Sequence, residues 1–256
     1  NNDHESLERL FSWPAAGVKD FLGVVYQSLI QEGTKASRGS YFTPPDIVDR
    51  MIRENVRPWY KVLDPCCGTG QFLLTFAEYL SDPACIWGLD CDRTAVKIAR
   101  LNLLLTCSRD FKPNIYCVNT LDLDFRDSKV LPCFGEENFN FIATNPPWGA
   151  GLNKNTLTKL KKEFPEVNSG ESFSFFLRIS LQLLKNKGVL SFLLPESFLN
   201  IKLHQDIRKT ILAQCRIKTI ETLGRVFKNV LSPAIILEVE KNTPLQSSEV
   251  IVKLPD

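Results

Sequence analysis

Phe141-Ile142-Ala143-Thr144-Asn145-Pro146-Pro147-Trp148-Gly149 carries the most pointed chemistry in the chain. The apolar run predicts a strand that delivers Asn145 to a sheet edge, and the two prolines fix the backbone beyond it. Such a turn can be nothing more than a rigid corner with a surface aromatic. It can also act on a planar amino nitrogen whose lone pair is delocalised into a conjugated system. Two acceptors, the Asn145 side-chain oxygen and the Pro146 carbonyl, can grip the two N–H bonds and localise that lone pair toward an electrophile. Pro147 stiffens the turn, and Trp148 offers a flat face for stacking, worth about 1–3 kcal/mol. The displacement needs no strong base, because the nitrogen can lose its proton afterwards. The chief requirement is then alignment of donor and acceptor.

Three further segments end predicted strands with polar residues. In Val62-Leu63-Asp64-Pro65-Cys66-Cys67-Gly68-Thr69-Gly70, the glycines let the backbone approach a ligand, and the helix that follows aims free N–H groups at it. No Lys follows Gly70, and Phe72 and Leu73 follow Gln71, so neither the phosphate-loop nor the dinucleotide fingerprint is present. Asp64 would repel a pyrophosphate and suits a ligand with an ammonium group. Trp87-Gly88-Leu89-Asp90-Cys91-Asp92 comes about 20 residues later, the spacing at which an acid meets ribose hydroxyls. Asp90 fits that task, with Cys91 beside it, and Asp92 is placed to cap the next helix. In Cys117-Val118-Asn119-Thr120-Leu121-Asp122, either Asn119 or Asp122 can reach the amino group of a purine. Each segment alone can be an ordinary strand-to-helix turn. In this order they describe a nucleoside site at the carboxyl ends of parallel strands.

The elements that must position these residues alternate. Apolar residues at helical spacing predict a helix from Val18 to about Glu32, and Gly33 to Ser40 reads as a loop. Tyr41-Phe42-Thr43-Pro44-Pro45-Asp46 leads into a helix over Ile47 to Asn55. Strands are expected at 61–64, 85–90, 114–118, 139–145, 188–194, 217–223 and 234–239. Helices are expected at 70–80, 93–105, 172–184 and 203–212. Strands separated by helices mean crossover units and a largely parallel sheet. The short link between the last two strands suits an antiparallel pair. The fold expected is therefore α/β and Rossmann-like, a mixed seven-stranded sheet with its last strand antiparallel and helices on both faces. Residues 1–40 read as an N-terminal helical segment and 41–256 as the catalytic domain. Leu152 to Asn168, polar and Lys-rich, reads as a mobile loop or short helix.

Composition excludes more than it assigns. With 44% hydrophobic and 23% charged residues, the chain has the balance of an ordinary globular protein. A formal charge of +2 is too small to announce a polyanion, so a nucleic-acid partner requires locally arranged basic residues or another domain. None of the eight cysteines forms a C-x-x-C pair, and both histidines are remote from them, so no metal is expected and the thiols read as reduced and mostly buried. No apolar run approaches the ~18 residues of a membrane span. There is no basic-then-apolar leader, and the cytoplasm is the expected compartment.

On these residues the chain resembles the adenine-specific DNA methyltransferases of restriction–modification systems, in the group with the cofactor motif first and N-P-P-[YFW] second. That group includes Type I modification subunits and fused Type IIG enzymes. The resemblance covers most of the chain. Asp20 to Tyr26 is similar to the family's helix before the cofactor loop. Gly39-Ser40-Tyr41-Phe42-Thr43-Pro44-Pro45 is similar to its G-x-[YF]-[YF]-T-P segment, which puts Tyr41 and Thr43 over the methionine end of S-adenosylmethionine. Asp64, Pro65, Gly68 and Gly70 match the cofactor loop, and Asp90 with Cys91 matches the ribose segment. Asn145 borders the cofactor as well as the target. Ser172 to Pro195 is similar to the family's helix and strand ending in Pro. Gly224-Arg225-Val226-Phe227 resembles the segment whose aromatic stacks on a flipped base opposite N-P-P-[YFW], which implies Phe227 as a second wall, unless it is a core phenylalanine. Where the family carries an acid after the third strand, this chain aligns Asn119, with Asp122 three residues on.

The resemblance implies transfer of a methyl group to N6 of a flipped adenine in double-stranded DNA, with S-adenosylhomocysteine as product. It implies a separate or C-terminal target-recognition domain, which does not follow the last predicted strand here, and a restriction nuclease as a further partner. Turning a base out of the duplex costs a few kcal/mol, which two aromatic walls would partly offset. Two alternatives stay open. N-P-P-[YFW] on this fold also serves RNA adenine and protein glutamine, whose amide nitrogen is equally planar. A non-catalytic DNA-binding subunit is the other, against which the intact Asn145–Trp148 turn argues.

Overall fold

A computed structural model describes residues 20–29, 41–107, 110–123, 138–149, 151–227, 230–241 and 250–254. The expected loop at 33–40 and Cys133 fall outside them. Helix α1 covers Phe21–Leu29 and α2 Pro45–Ile52, where Pro45 occupies the first turn as expected. Then follow β1 (Val62–Asp64), α3 (Gln71–Tyr79), β2 (Ile86–Asp90), α4 (Arg93–Cys107), β3 (Asn114–Cys117) and β4 (Phe139–Thr144). The second half runs α5 (Lys154–Glu163), α6 (Ser172–Leu183), β5 (Leu184–Pro195), α7 (Gln205–Gln214), β6 (Cys215–Gly224), β7 (Ala234–Lys241) and β8 (Ile251–Lys253).

The strands form one sheet in the order β3-β2-β1-β4-β5-β7-β6-β8. The first five in that order pair parallel, β7 runs antiparallel to both β5 and β6, and β8 adds to the far edge parallel to β6. The class is the expected α/β mixed sheet, with the seventh strand antiparallel. The count is eight rather than seven. Ile251–Lys253 is three residues long and exposed, and its apolar run, Val250-Ile251-Val252, is shorter than the roughly four residues by which a strand is read. The Lys-rich stretch after the Pro-Pro turn contains the short helix α5.

Successive residues of the central strands feed opposite cores. Val62, Phe141, Ala143, Val189 and Leu193 pack on the face covered by α2, α3 and α4. Leu63, Ile142, Leu190 and Phe192 pack on the other, under α6, α7 and Leu160 of α5. Burial on both sides is why these strands read as continuous apolar runs. Strand order turns back between β1, which leads to β2 and β3, and β4, which leads to β5. Such a switch point opens a crevice beyond the carboxyl ends of the strands, and Asp64 and Thr144 are the last residues of β1 and β4.

Candidate active site

A cavity of about 690 Å³ lies at that switch point, within the range that encloses a cofactor-sized ligand. Asp64, Pro65, Gly68, Asp90, Cys91, Asn119, Thr120 and Asn145 all line it, together with Tyr41 and Thr43. The structure thus gathers most of the expected site residues around one space. Gly70, Pro146, Trp148, Asp122 and Phe227 are not among its lining residues.

The glycine loop leaves β1 with Gly68 at φ 51° and Gly70 at φ 102°, conformations that L side chains rarely adopt. A Cβ on Gly68 would meet nothing within 4 Å, so this glycine borders open space. A Cβ on Gly70 would come within 3.2 Å of Ala99 Cβ on α4. Gly70 therefore lets α3 start close against α4. Asp64 is 1% exposed. Its Oδ1 accepts from Thr144 Oγ1 at 2.6 Å and from the Cys66 amide at 3.0 Å. Burial pushes its carboxyl up to about 7, against those two hydrogen bonds, with Asp90 adding to the rise. A cation arriving at this carboxylate would reverse that shift.

Asp90 accepts from the Gly68 amide at 2.8 Å and the Asp92 amide at 2.8 Å, and so fixes the loop as well as lining the cavity. Burial raises its carboxyl too, the two amides opposing. Asp92 caps α4 as expected, accepting from Thr94 and Ala95. Past β3, Asn119 accepts from the Leu121 amide at 3.2 Å and donates to Asp122 Oδ2 at 2.6 Å. Asp122 Oδ1 accepts from Thr156 of α5 at 2.9 Å. Asn119 therefore stands at the cavity wall, while Asp122 holds Asn119 and α5 in place behind it.

At the tip of β4, Asn145 Nδ2 donates to Thr43 Oγ1 at 3.1 Å and reaches the Tyr41 carbonyl at 3.5 Å. A carbonyl can only accept, so the amide NH₂ must face Tyr41 and the Oδ1 is left as an acceptor. Pro147 lines the cavity, and its carbonyl accepts from Ser172 Oγ at 2.7 Å. Trp148 is 9% exposed and its indole N–H donates to the Leu193 carbonyl at 3.2 Å. Phe227 meets Trp148 edge-on with centroids 5.4 Å apart and stacks on Tyr41 at 5.3 Å. The two expected walls are neighbours, but the space between them is closed. A ring inserted between two others needs about 7 Å, twice the contact distance of carbon atoms. Phe227 packs against both Tyr41 and Trp148.

Several residues of the site lie in segments the sequence singles out but had no role assigned from it. Thr144 and Cys66 bind each other at 2.9 Å and link the two strand tips. Tyr26 of α1 lines the cavity and donates to Asp92 Oδ2 at 2.8 Å. Asp20 is 2% exposed and accepts from the Gly23 amide (2.9 Å), Asn102 Nδ2 (2.6 Å) and Thr69 Oγ1 (2.8 Å). It ties α1 to α4 and to the glycine loop, and burial raises its carboxyl. A polar residue at a helix start reads as a local cap, and its distant partners appear only once the chain is folded. The cysteines are less buried than expected: among the described ones Cys67 and Cys215 are buried, while Cys91 and Cys117 are exposed.

A family profile described as N-6 DNA Methylase matches residues 17–253. The chain is 29% identical over 225 residues to the Type II methyltransferase M.VspI of Vibrio sp. (strain 343), covering 87% of this chain and 53% of that one. It is 25% identical over 221 residues to the Type I restriction enzyme EcoEI methylase subunit of Escherichia coli, covering 80% of this chain and 43% of that one. The solved methyltransferase subunit of a type I restriction-modification system from Streptococcus thermophilus superposes with a TM-score of 0.66 at 22% identity. That match covers 94% of this chain and 53% of the other, and is a likeness of fold. The chain spans about half the length of these relatives.

Asp20 gives a direct check on the scaffold. Asp20→Ala strands three donors and is expected to lower the unfolding free energy by about 2–4 kcal/mol. Asp20→Asn keeps an acceptor and should lose less than half of that. Urea unfolding followed by circular dichroism decides it, and an alanine variant within about 0.5 kcal/mol of the parent, the usual range for a surface change, contradicts the assignment.

Proposed function

The chain belongs to the N-6 DNA Methylase family, and on that premise we propose that it transfers a methyl group from S-adenosylmethionine to N6 of a flipped adenine in duplex DNA, within a restriction–modification system. One observation carries the reading. Asn145, its amide oriented by Tyr41 and Thr43, opens onto the same cavity as Asp64, Gly68 and Asp90.

The residues present fit the cofactor. Asp64 is a buried carboxylate whose described hydrogen bonds all fall on Oδ1, which leaves Oδ2 for the ammonium of the methionine part. Gly68 leaves room for the ligand beside the loop. Asp90 and Cys91, which line the cavity, would hold the ribose. Asn119, the lining member of the pair, is our candidate for the adenine edge. S-adenosylmethionine bound here supplies an electrophilic sulfonium methyl.

The rest falls to the chain. Asn145 Oδ1 and the Pro146 carbonyl accept the two N–H bonds of the adenine amino group and turn its lone pair toward the cofactor. The Ser172 bond to the Pro147 carbonyl and the two proline rings hold the turn still, which is the alignment the reaction needs. Trp148, pinned through Leu193, is the fixed wall for the base. Phe227 is the movable one, since a base can stack on Trp148 only after Phe227 leaves it. We assign α1 to the cofactor side of this catalytic domain through Asp20 and Tyr26. Choice of the DNA sequence we assign to a separate or C-terminal target-recognition domain, and cleavage to a partner nuclease.

Two outcomes test this. With tritiated donor, label should enter duplex DNA as N6-methyladenine and neither RNA nor a glutamine-bearing protein. Asn145→Ala should lose it by about 10²–10³-fold, a usual cost of removing one oriented acceptor from a reacting centre, while still binding S-adenosylhomocysteine. Label confined to protein ends the DNA reading. The second outcome concerns pH. Asp64 holds its proton to higher pH when folded than when unfolded, so its contribution to stability falls as pH rises between its ordinary value and about 7. Ligand binding runs the other way, because the ammonium requires the ionised form. Affinity for S-adenosylhomocysteine should fall roughly tenfold from pH 7.5 to pH 6 and stay flat in Asp64→Asn. A flat profile in the parent chain contradicts the pairing of Asp64 with the ammonium.

A further inference from the structure

Charge is where the sequence and its partner disagree. A net charge of +2 is small for a chain that grips a polyanion, yet α5 carries Lys154, Lys159, Lys161 and Lys162 against the single acid Glu163. These ten residues hold more positive charge than the whole chain nets. The helix is also fixed in place. Asn153 caps it, accepting from the Thr156 amide at 2.8 Å. Leu160 is 1% exposed in the core, Thr156 binds Asp122 at 2.9 Å, and Lys159 donates to the Asp122 carbonyl. Helical spacing then puts Lys154, Thr158, Lys161 and Lys162 on one exposed arc. Asn153, the cap of α5, lines the cavity and Lys154 is the first residue of the helix, so this face starts beside the cavity, while Thr156 lines it from the opposite side of the helix.

We propose that the exposed face of α5, made by Lys154, Lys161 and Lys162 with Thr158 between them, is a docking surface for the phosphate backbone of duplex DNA beside the flipped base. Three ammonium groups on a rigid helix suit phosphate oxygens and read no base edges, so the surface orients the duplex without specifying sequence; the Thr158 hydroxyl between them donates to the Lys154 carbonyl at 2.8 Å. Lys159 is the exception, since its ammonium is engaged with the loop that carries Asn119. The surface rests on the function proposed above for the choice of duplex DNA as its partner.

The test is the salt dependence of binding. Fluorescence anisotropy of a labelled duplex, from 50 to 200 mM salt, is measured for the chain and for the triple variant Lys154→Gln, Lys161→Gln, Lys162→Gln. Each phosphate contact contributes about 0.9 to the slope of log affinity against log salt. The variant should therefore lose about 2–3 from the slope, with unchanged melting and unchanged affinity for S-adenosylhomocysteine. A slope within about 0.5 of the parent's, or a parent chain that binds no duplex at 50 mM salt, overturns the surface. A steeper loss on an RNA hairpin than on the duplex overturns it as well. Failure of the parent reading looks different: a chain that binds duplex through these lysines but methylates only protein keeps the surface and loses the reaction.

Discussion

The hydrogen bond from Thr144 Oγ1 to Asp64 Oδ1, at 2.6 Å, is the constraint on which the site depends. It joins the last residues of two adjacent parallel strands, β1 and β4, at the point where strand order turns back. One end is the carboxylate assigned to the donor. The other is the residue before Asn145, assigned to the acceptor. Cys66 doubles the link, with its thiol against Thr144 and within reach of the Asn145 carbonyl. The cost of the arrangement is a carboxylate with almost no exposure and no cation among its described hydrogen bonds. Burial raises the pKa of such a group until a positive ligand arrives. The same burial that destabilises the ionised ligand-free site therefore makes an ammonium group its natural complement.

The parts of this site that could be read from the sequence are those where a backbone requirement fixes residue type. Asp64, Gly68 and Gly70 stand out because a tight strand-to-helix turn needs glycine, and Asn145 to Trp148 because two prolines cannot be mistaken for a strand interior. Central strands buried on both faces, such as β1, β4 and β5, announce themselves as apolar runs, and the others were long enough to read between their turns. The eighth, three exposed residues paired with β6, is too short to read that way. The tasks of Asp20, Thr144 and Tyr26 were hidden for a related reason. Their cross-chain partners lie far away, 49 and 82 residues for Asp20 with Thr69 and Asn102, and polar pairs at that distance have no periodicity. Gly70 was legible as a glycine, but the close approach of Ala99 of α4 that its missing Cβ admits was not.

The aromatic residues were legible by type and not by arrangement. Tyr41, Phe227 and Trp148 are packed on one another, because an open slot between aromatic faces would expose a large apolar area to water. Under the proposed function, opening would cost the Trp148–Phe227 contact and return stacking on the base, one aromatic pair for another, while the duplex loses its own stack. The indole of Trp148 is held by its hydrogen bond to Leu193. Charge is arranged with the same economy, concentrated on one docked helix at the cavity mouth while the rest of the chain is close to neutral.

The most direct measurement is single-turnover methyl transfer to duplex DNA at saturating S-adenosylmethionine by Thr144→Val and Thr144→Ser. Valine keeps the shape of the side chain and removes the hydroxyl that joins the strand tips, whereas serine keeps the hydroxyl. The account predicts that the serine variant transfers at close to the parent rate. The valine variant should fall by about 10²-fold, as expected when donor and acceptor lose their register, with saturation removing any effect on donor affinity. Transfer by the valine variant at the parent rate would show that the strand tips need no such link, and would contradict the account at its centre.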